Sequence, residues 1–383
     1  MRMDFLKKGA GSLIYLDHAA TTPVRDDVLA AMLPYFGVNF ANASSGYTAA
    51  RDSRKSIDAA RSEVARAIGA KTAEIYFTSG GSESDNWALM GVAAAHPEKK
   101  HIITTRIEHH AVLHACEALE KRGYVVTYLD VDECGRVLPE SLEQAIRPET
   151  LMASVMLANN EVGTIEPITA LAQVAHKYGV LMHTDAVQAV GHIPVDVNAL
   201  QADLLSISAH KFGGPKGCGA LYVKSGVRID PLIYGGAQER NMRAGTENVP
   251  AVVGMGKAIT LGVQNMQEES LKSSALRDEL EHGLLSLGGI CVNGDVTNRL
   301  PGHLHVSIDG ANTTLMLMQL DMAGIAVSAG SACSSGAAER SHVMIAMGLA
   351  KDNQADIRFS LGAENTEEEI AAVLKAMRRI LKR

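Results

Sequence analysis

Ser206-Ile207-Ser208-Ala209-His210-Lys211-Phe212-Gly213-Gly214-Pro215-Lys216-Gly217 follows an apolar start at Leu204-Leu205. The run predicts a buried strand that delivers a lysine into a Gly/Pro turn, with hydroxyl and imidazole neighbours. Desolvation lowers a lysine's pKa, and an uncharged lysine is a nucleophile able to form a Schiff base. A lysine at a strand end can equally reach water along its flexible stem. What surrounds Lys211 in the chain must separate the two readings.

Upstream, from Glu74 to Ala186, apolar runs alternate with amphipathic segments. Ile75-Tyr76-Phe77 precedes a helix over Ser82–Ala95, and Ile102-Ile103 one over His110–Lys121. Val125–Leu129 precedes a helix near Pro139–Ile146, and Leu151–Leu157 one over Ile168–Tyr178, before Val180-Leu181-Met182. This rhythm predicts parallel strands crossed by helices, a doubly wound α/β sheet. Ligands of such sheets bind at the carboxyl ends of strands, so each strand exit is a candidate.

At the first exit, Thr78-Ser79-Gly80-Gly81-Ser82 leads into a helix whose free N–H groups suit a phosphate, although Gly-Gly and Ser also make an ordinary turn and cap. The second, Glu108-His109-His110 with His114, places one imidazole, His109, at the mouth of a strand, where it can lie against a flat ring. His110 and His114 at i and i+4 can converge on a metal, but HExxH spacing is missing and scattered surface histidines explain them as well. The third is Asn159-Asn160-Glu161, whose amides can orient a ligand or simply turn the chain. The fourth, Asp185-Ala186-Val187-Gln188, offers a carboxylate for a ring N–H⁺ and a carboxamide for an adjacent oxygen; a helix-turn cap is the alternative use of Asp185.

Beyond Lys211, a polar loop from Gly235 to Asn248 carries Arg240, Arg243 and Thr246, which can serve an anion or solvent. A helix over Val249–Leu285 leads to an alternating strand (Leu304–Ile308), a helix (Thr313–Met322) and Ile325-Ala326-Val327. Gly330-Ser331-Ala332-Cys333-Ser334-Ser335-Gly336 surrounds one thiol with small residues, the composition of a mobile loop, and an exposed cysteine there suggests reactivity. Arg358, in Ile357-Arg358-Phe359-Ser360, is an arginine in an apolar strand that wants an anion.

The totals agree. At 383 residues two domains are expected. A net charge of −7 without a long basic run argues against nucleic acid as a direct partner. No stretch approaches the ~20 apolar residues of a membrane span, and Met1–Ser12 lacks a signal peptide's apolar segment. Five cysteines without CxxC spacing point to a reducing cytoplasm, not to a disulfide framework or structural zinc.

Taken together, a Schiff-base lysine, an acid for a ring nitrogen, a stacking histidine and a helix-start phosphate site describe a pyridoxal phosphate pocket. The motifs resemble the cysteine desulfurases of the NifS/IscS type, within the fold-type I, class-V aminotransferase-like enzymes. The likeness runs from Tyr15-Leu16-Asp17-His18-Ala19-Ala20-Thr21-Thr22-Pro23 to the last helix. It includes Glu108-His109, Asn159-Asn160-Glu161, Ser208-Ala209-His210-Lys211, Arg243-Ala244-Gly245-Thr246, the Cys333 loop and Ile357-Arg358-Phe359-Ser360-Leu361-Gly362.

The resemblance implies a mostly parallel central sheet with helices on both faces and a smaller α+β C-terminal domain. The expected division is 14–262 and 263–383, the latter carrying the cysteine loop, with 1–13 packed on it. It implies that Lys211 carries pyridoxal 5'-phosphate and moves the α-proton. His109 would stack on the ring, Asp185 would keep its nitrogen protonated, and Gln188 would meet its phenolic oxygen. Gly81, Ser82, Ser208 and His210 would hold the phosphate, with Thr246 from the other subunit of a homodimer. Asn160 and Arg358 would take the α-carboxylate of L-cysteine. Cys333 would accept sulfur as a persulfide and pass it to an acceptor protein for Fe–S assembly or thiolation.

Ala43 and Tyr47 depart from the commoner proline and histidine. The sequence ends at Arg383, where housekeeping members carry a further scaffold-docking tail, so a different acceptor is open. The alternatives are a selenocysteine lyase or aminotransferase of the same fold, a non-catalytic sulfur carrier, and a metal-dependent hydrolase built on Glu108, His109, His110 and His114.

Overall fold

The structure, a computed structural model, describes residues 13–330 and 340–382. Cys333 and the segment 1–12 lie outside the described residues, as does the expected packing of that segment. The described residues form twelve strands: β1 (Ile14–Tyr15), β2 (Ile75–Thr78), β3 (His101–Thr105), β4 (Val125–Leu129), β5 (Thr150–Ser154), β6 (Leu181–Asp185), β7 (Leu204–Ser208), β8 (Gly219–Val223), β9 (Ile290–Asn293), β10 (His303–Asp309), β11 (Ile325–Ala326) and β12 (Gln354–Ser360). Seven form one sheet in the order β2-β8-β7-β6-β5-β3-β4.

That sheet is the expected doubly wound α/β arrangement, with five parallel strands from β7 to β4. Strand β8 runs antiparallel to both neighbours, β2 and β7. Its Gly219 is what lets the Gly80-Gly81 turn come close: a Cβ there would lie 2.7 Å from Gly80 Cα and 2.5 Å from Ile207 O. The winding reverses at β3, which has β4 on one side and β5 on the other. A reversal of this kind opens a crevice at the carboxyl ends of the strands.

A second core belongs to the C-terminal elements. The helix Val249–Leu285 begins in the large core through Val249, Val252, Met255 and Ile259, and ends in the small one through Leu276, Leu280 and Leu284. Leu16 also packs in the small core, and β1 pairs with β11. The chain's first described strand therefore departs from the expected start of the large domain at residue 14. Its short apolar stretch finds its partner more than 300 residues away.

Strand β10 reads as alternating, yet His303 through Ile308 are all buried. The small sheet turns its polar face inward, against the large domain: a Cβ on Gly163 would lie 2.6 Å from His303 Cβ, and Leu300 N–H donates to Gly163 O at 2.9 Å. In register with His305 on that face stands Arg358 of β12. The polar residues of this strand are enclosed between the two cores and do not face solvent.

Candidate active site

Strand β7 carries its chain into a single tight turn, Ala209–Lys211, at the end of five fully buried residues. Lys211 is half-buried, and its Nζ donates to Ala19 O at 2.5 Å and Ala20 O at 3.0 Å. Both carbonyls belong to the loop between β1 and the first helix. The same Ala19 carbonyl accepts Gln188 Nε2 at 3.0 Å, so the carboxamide and the lysine converge on one point.

At the end of β6, the adjacent strand, stands Asp185, 6% exposed. Its Oδ1 accepts the Val187 N–H at 2.9 Å, so it does close a turn as well as face the crevice. Burial raises its pKa to about 6; that hydrogen bond and the nearby Lys211 charge hold it lower than burial alone would. Behind it lies Asp85, also buried, whose carboxyl is pushed well above the ordinary range by burial and then by the Asp185 charge. His183 bridges Ser154 and Ser206 (2.8 and 3.1 Å) and stays neutral, its pKa held near 3 by burial. Sequence reasoning did not find this second carboxylate; only the fold brings the fifth residue of the Gly81–Ala95 helix behind β6.

His109 begins the His110–Glu120 helix, its Nδ1 accepting the Ala111 N–H at 3.1 Å. That bond leaves the proton of the neutral ring on Nε2. Burial, then the Lys211 charge, lowers its pKa to about 4. The rings of His110 and His114 lie 5.1 Å apart, and those of His110 and His342 4.8 Å apart. Glu108, however, points elsewhere: its Oε1 accepts Thr105 Oγ1–H (2.7 Å) and Met156 N–H (3.0 Å). Among the described residues no group of three or more histidines, cysteines or acids is arranged to hold a metal ion. The carboxylate needed by a hydrolase reading is thus committed to the backbone of β5's exit.

Next to Lys211 opens a cleft lined by Thr21, Ser79, Gly81, Ser82, Ser208, His210 and Lys216, among others. Gly81 is required where it stands, since a Cβ would meet Val187 Cγ2 at 2.7 Å. His210 shares a 3.0 Å hydrogen bond with Thr21 Oγ1, and burial with the Lys211 and Lys216 charges lowers its pKa to about 4. Thr21 and Lys216 were missed as candidates; the loop position of Thr21 and the Gly/Pro turn around Lys216 were the available signals.

Thr246 is exposed on its own chain and does not line this cleft. The two arginines of its loop are also not free for an anion. Arg243 pairs with Glu83 at 2.9 and 3.1 Å, and Arg240 donates to Ile75 O while stacking over Tyr76.

Arg358 is 2% exposed. Its Nη1 donates to Asn160 O (2.8 Å), and its Nη2 to Asp17 Oδ1 (2.8 Å). Among the described residues its buried Nε–H has no partner. Asn160 therefore meets Arg358 through its backbone carbonyl, and Asn159 beside it is structural, tying Ile107 O, Glu161 N and Val162 N together.

Lys211, Asp185 and His109 thus stand at the exits of β7, β6 and β3 with the Lys211 charge acting on the other two, and the loop that accepts from Lys211 also carries Asp17, the partner of Arg358. The family model for class-V aminotransferases matches residues 14–373. A cysteine desulfurase IscS of Methanosarcina thermophila is 50% identical over 97% of this chain and 92% of its own. The chain belongs to the class-V aminotransferase family, among its cysteine desulfurases. A solved NifS-like protein superposes with a TM-score of 0.92 at 39% identity, covering 97% of this chain and 99% of its own. A structure described as SspA in complex with cysteine superposes at 0.82 with 34% identity, covering 92% and 100%. Among the described residues no helix is long and apolar enough to cross a membrane.

Proposed function

We propose that this desulfurase converts L-cysteine to L-alanine with pyridoxal 5'-phosphate, delivering the sulfur to Cys333 and then to an acceptor protein. What supports the reading is that the Lys211 charge acts on both Asp185 and His109, and that the loop accepting from Lys211 also carries Asp17, the partner of Arg358. The residues fit the cofactor: the Gly81 turn leaves no room for a Cβ, and the cleft beside it offers hydroxyl, backbone and lysine donors. When bound, the cofactor supplies an electron sink for the pair released as the Cα–H bond breaks.

Lys211 would be the covalent attachment point and would move the α-proton through Nζ. Asp185 would hold the ring-nitrogen proton, its buried carboxylate then having a cationic partner. His109 would lie against the ring with Nε2–H as its donor. Gln188 would offer its amide to the phenolic oxygen. Gly81, Ser82, Ser208 and His210 would hold the phosphate. Arg358 takes the substrate carboxylate with Asn160 beside it. Cys333 Sγ then forms an S–S bond to the substrate sulfur as the Cβ–S bond breaks; the electron pair and the protons end in the methyl group of alanine.

A homodimer would bring Thr246 of one copy to the phosphate of the other. Support comes from Phe36 (65% exposed), Val38 (86%), Phe40 (78%) and Tyr234 (78%), apolar side chains in contact with solvent on a lone chain. Ser44, from the same loop region as Phe40, reaches Glu247 beside Thr246. A reducing cytoplasm suits a reactive thiol, and Cys116, Cys134, Cys218 and Cys291 are all unbridged. The division into a large domain to about residue 262 and a small one after it rests on the two cores bridged by one helix.

The deciding experiment is turnover of the purified holoenzyme with L-cysteine and a reductant, expected to release sulfide and alanine in equal amounts. Borohydride reduction should fix the cofactor on Lys211, and Lys211→Ala should abolish both attachment and turnover. Cys333→Ser should bind cysteine yet form no persulfide. An adduct at another residue would end this assignment.

A further inference from the structure

Arg358 presents an imbalance. Its guanidinium is 2% exposed, yet among the described residues one carboxylate oxygen, Asp17 Oδ1, touches it and its Nε–H has no partner. A buried cation needs a counter-charge, because desolvation without one costs far more than a surface charge can recover. Glu161 is also close enough to act on it, but its carboxylate is hydrogen-bonded to Ser341 and, among the described residues, makes no ion pair with Arg358. Among the described residues Asp17 is the acid in direct contact with the guanidinium.

The Asp17 main chain is fixed independently of Arg358, while its carboxylate is paired with Arg358 Nη2. Tyr15 Oη–H donates to Asp17 O at 3.0 Å and to Thr21 O at 2.8 Å, closing the loop, and Asp17 bridges to Ser360 of β12. Two residues further, the same loop gives Ala19 O and Ala20 O to Lys211 Nζ. One short loop therefore accepts from both Lys211 and Arg358.

We propose that Asp17 is an internal stand-in for the substrate's carboxylate: it neutralises Arg358 while the site is empty and yields the fork to the arriving amino acid. The idea rests on Arg358 being the carboxylate site. Its consequence is quantitative. If the self-paired arrangement holds most of the empty enzyme, the measured affinity for substrate is reduced by the competent fraction. Asp17 is thus a positioning residue that sets KM for ligands bearing a carboxylate and leaves ligands without one untouched.

The test compares holoenzyme of wild type, Asp17→Asn and Asp17→Glu. For Asp17→Asn, KM for L-cysteine should fall about threefold to tenfold, with kcat changing by less than about twofold. The inhibition constant of L-alanine should fall in parallel, while that of cysteamine, which lacks the carboxylate, stays put. The thermal upshift produced by L-alanine should be larger in the variant than in wild type, a readout independent of turnover. Asp17→Glu keeps the charge and should leave KM at or above wild type, so the idea is testable even if the asparagine variant folds poorly.

An unchanged or raised KM in a folded Asp17→Asn protein overturns the proposal, as does a lowered KM in Asp17→Glu. Equal shifts for L-alanine and cysteamine overturn it too, because a general loosening of the loop would do that. Failure of the underlying reading shows separately: Arg358→Lys would then leave KM for L-cysteine where it was.

Discussion

Two arginines in this molecule are equally hidden and differently served. Arg61, 2% exposed, meets Glu239 with two parallel hydrogen bonds of 2.6 and 2.7 Å, donates to Ile75 O and lies over the Phe77 ring. Glu239 in turn accepts the Phe77 N–H at 2.9 Å. The pair is closed on itself, and it pins the loop after β8 onto β2. Arg358 meets its acid through one oxygen and keeps a buried N–H unpaired. A buried charge whose partners are complete holds structure together; one left partly open holds a place for something absent.

The contrast can be broken by exchanging the expected outcomes. Arg358→Ala should lower kcat/KM for L-cysteine by on the order of a hundredfold to a thousandfold, the loss of two charge-assisted hydrogen bonds. Its melting temperature should fall by less than that of Glu239→Ala, because Asp17 retains some contact with water and the cost is mainly the vacated volume. Steady-state kinetics beside a melting curve reads both. Glu239→Ala should do the reverse. It leaves Arg61 charged and buried, a loss of about 3–5 kcal/mol of folding stability, measured as a lower urea midpoint, while the folded enzyme keeps KM for L-cysteine within about twofold of wild type. Kinetic damage from Glu239→Ala without loss of stability would mean that a complete pair is no guide to a structural role.

Much of this was legible from local pattern because local pattern is what strand exits and helix caps are made of. Asn248, Asn312 and Thr366 cap their helices, and those helices run as periodicity places them. The rise and fall of apolar runs gave the sheet, and the exits of β3, β6 and β7 carried His109, Asp185 and Lys211. The pairings were not legible. Asp17 and Arg358 are 341 positions apart, and so their meeting depends on two sheets docking. Arg240 and Arg243 looked available for an anion, yet Ile75 O and Glu83 take them, as any nearby acceptor takes a guanidinium. Nor does sequence foretell that β8 turns antiparallel between β2 and β7, or that the polar residues of β10 face inward.

A third buried ionisable group refines the comparison, because it resolves its burial by giving up its charge. Glu108 is fully enclosed; Oε1 accepts from Thr105 and Met156, while Oε2 has no partner. Burial raises its pKa from the ordinary 4.5 to about 8, those two hydrogen bonds offsetting part of the rise. Below 4.5 it is neutral whether the chain is folded or not. Between 4.5 and about 8 the unfolded chain releases the proton and the folded chain keeps it, so stability is lost steadily as pH rises through that window. Glu108→Gln keeps the acceptor oxygen and removes the titration. The variant should therefore gain on wild type by roughly 3 kcal/mol between pH 5.5 and 8, read from paired urea midpoints, and the gap should stay level at higher pH. A gap flat across the whole range would mean that Glu108 is ionised in the fold and that its orphaned oxygen, like the Nε of Arg358, is waiting for a partner.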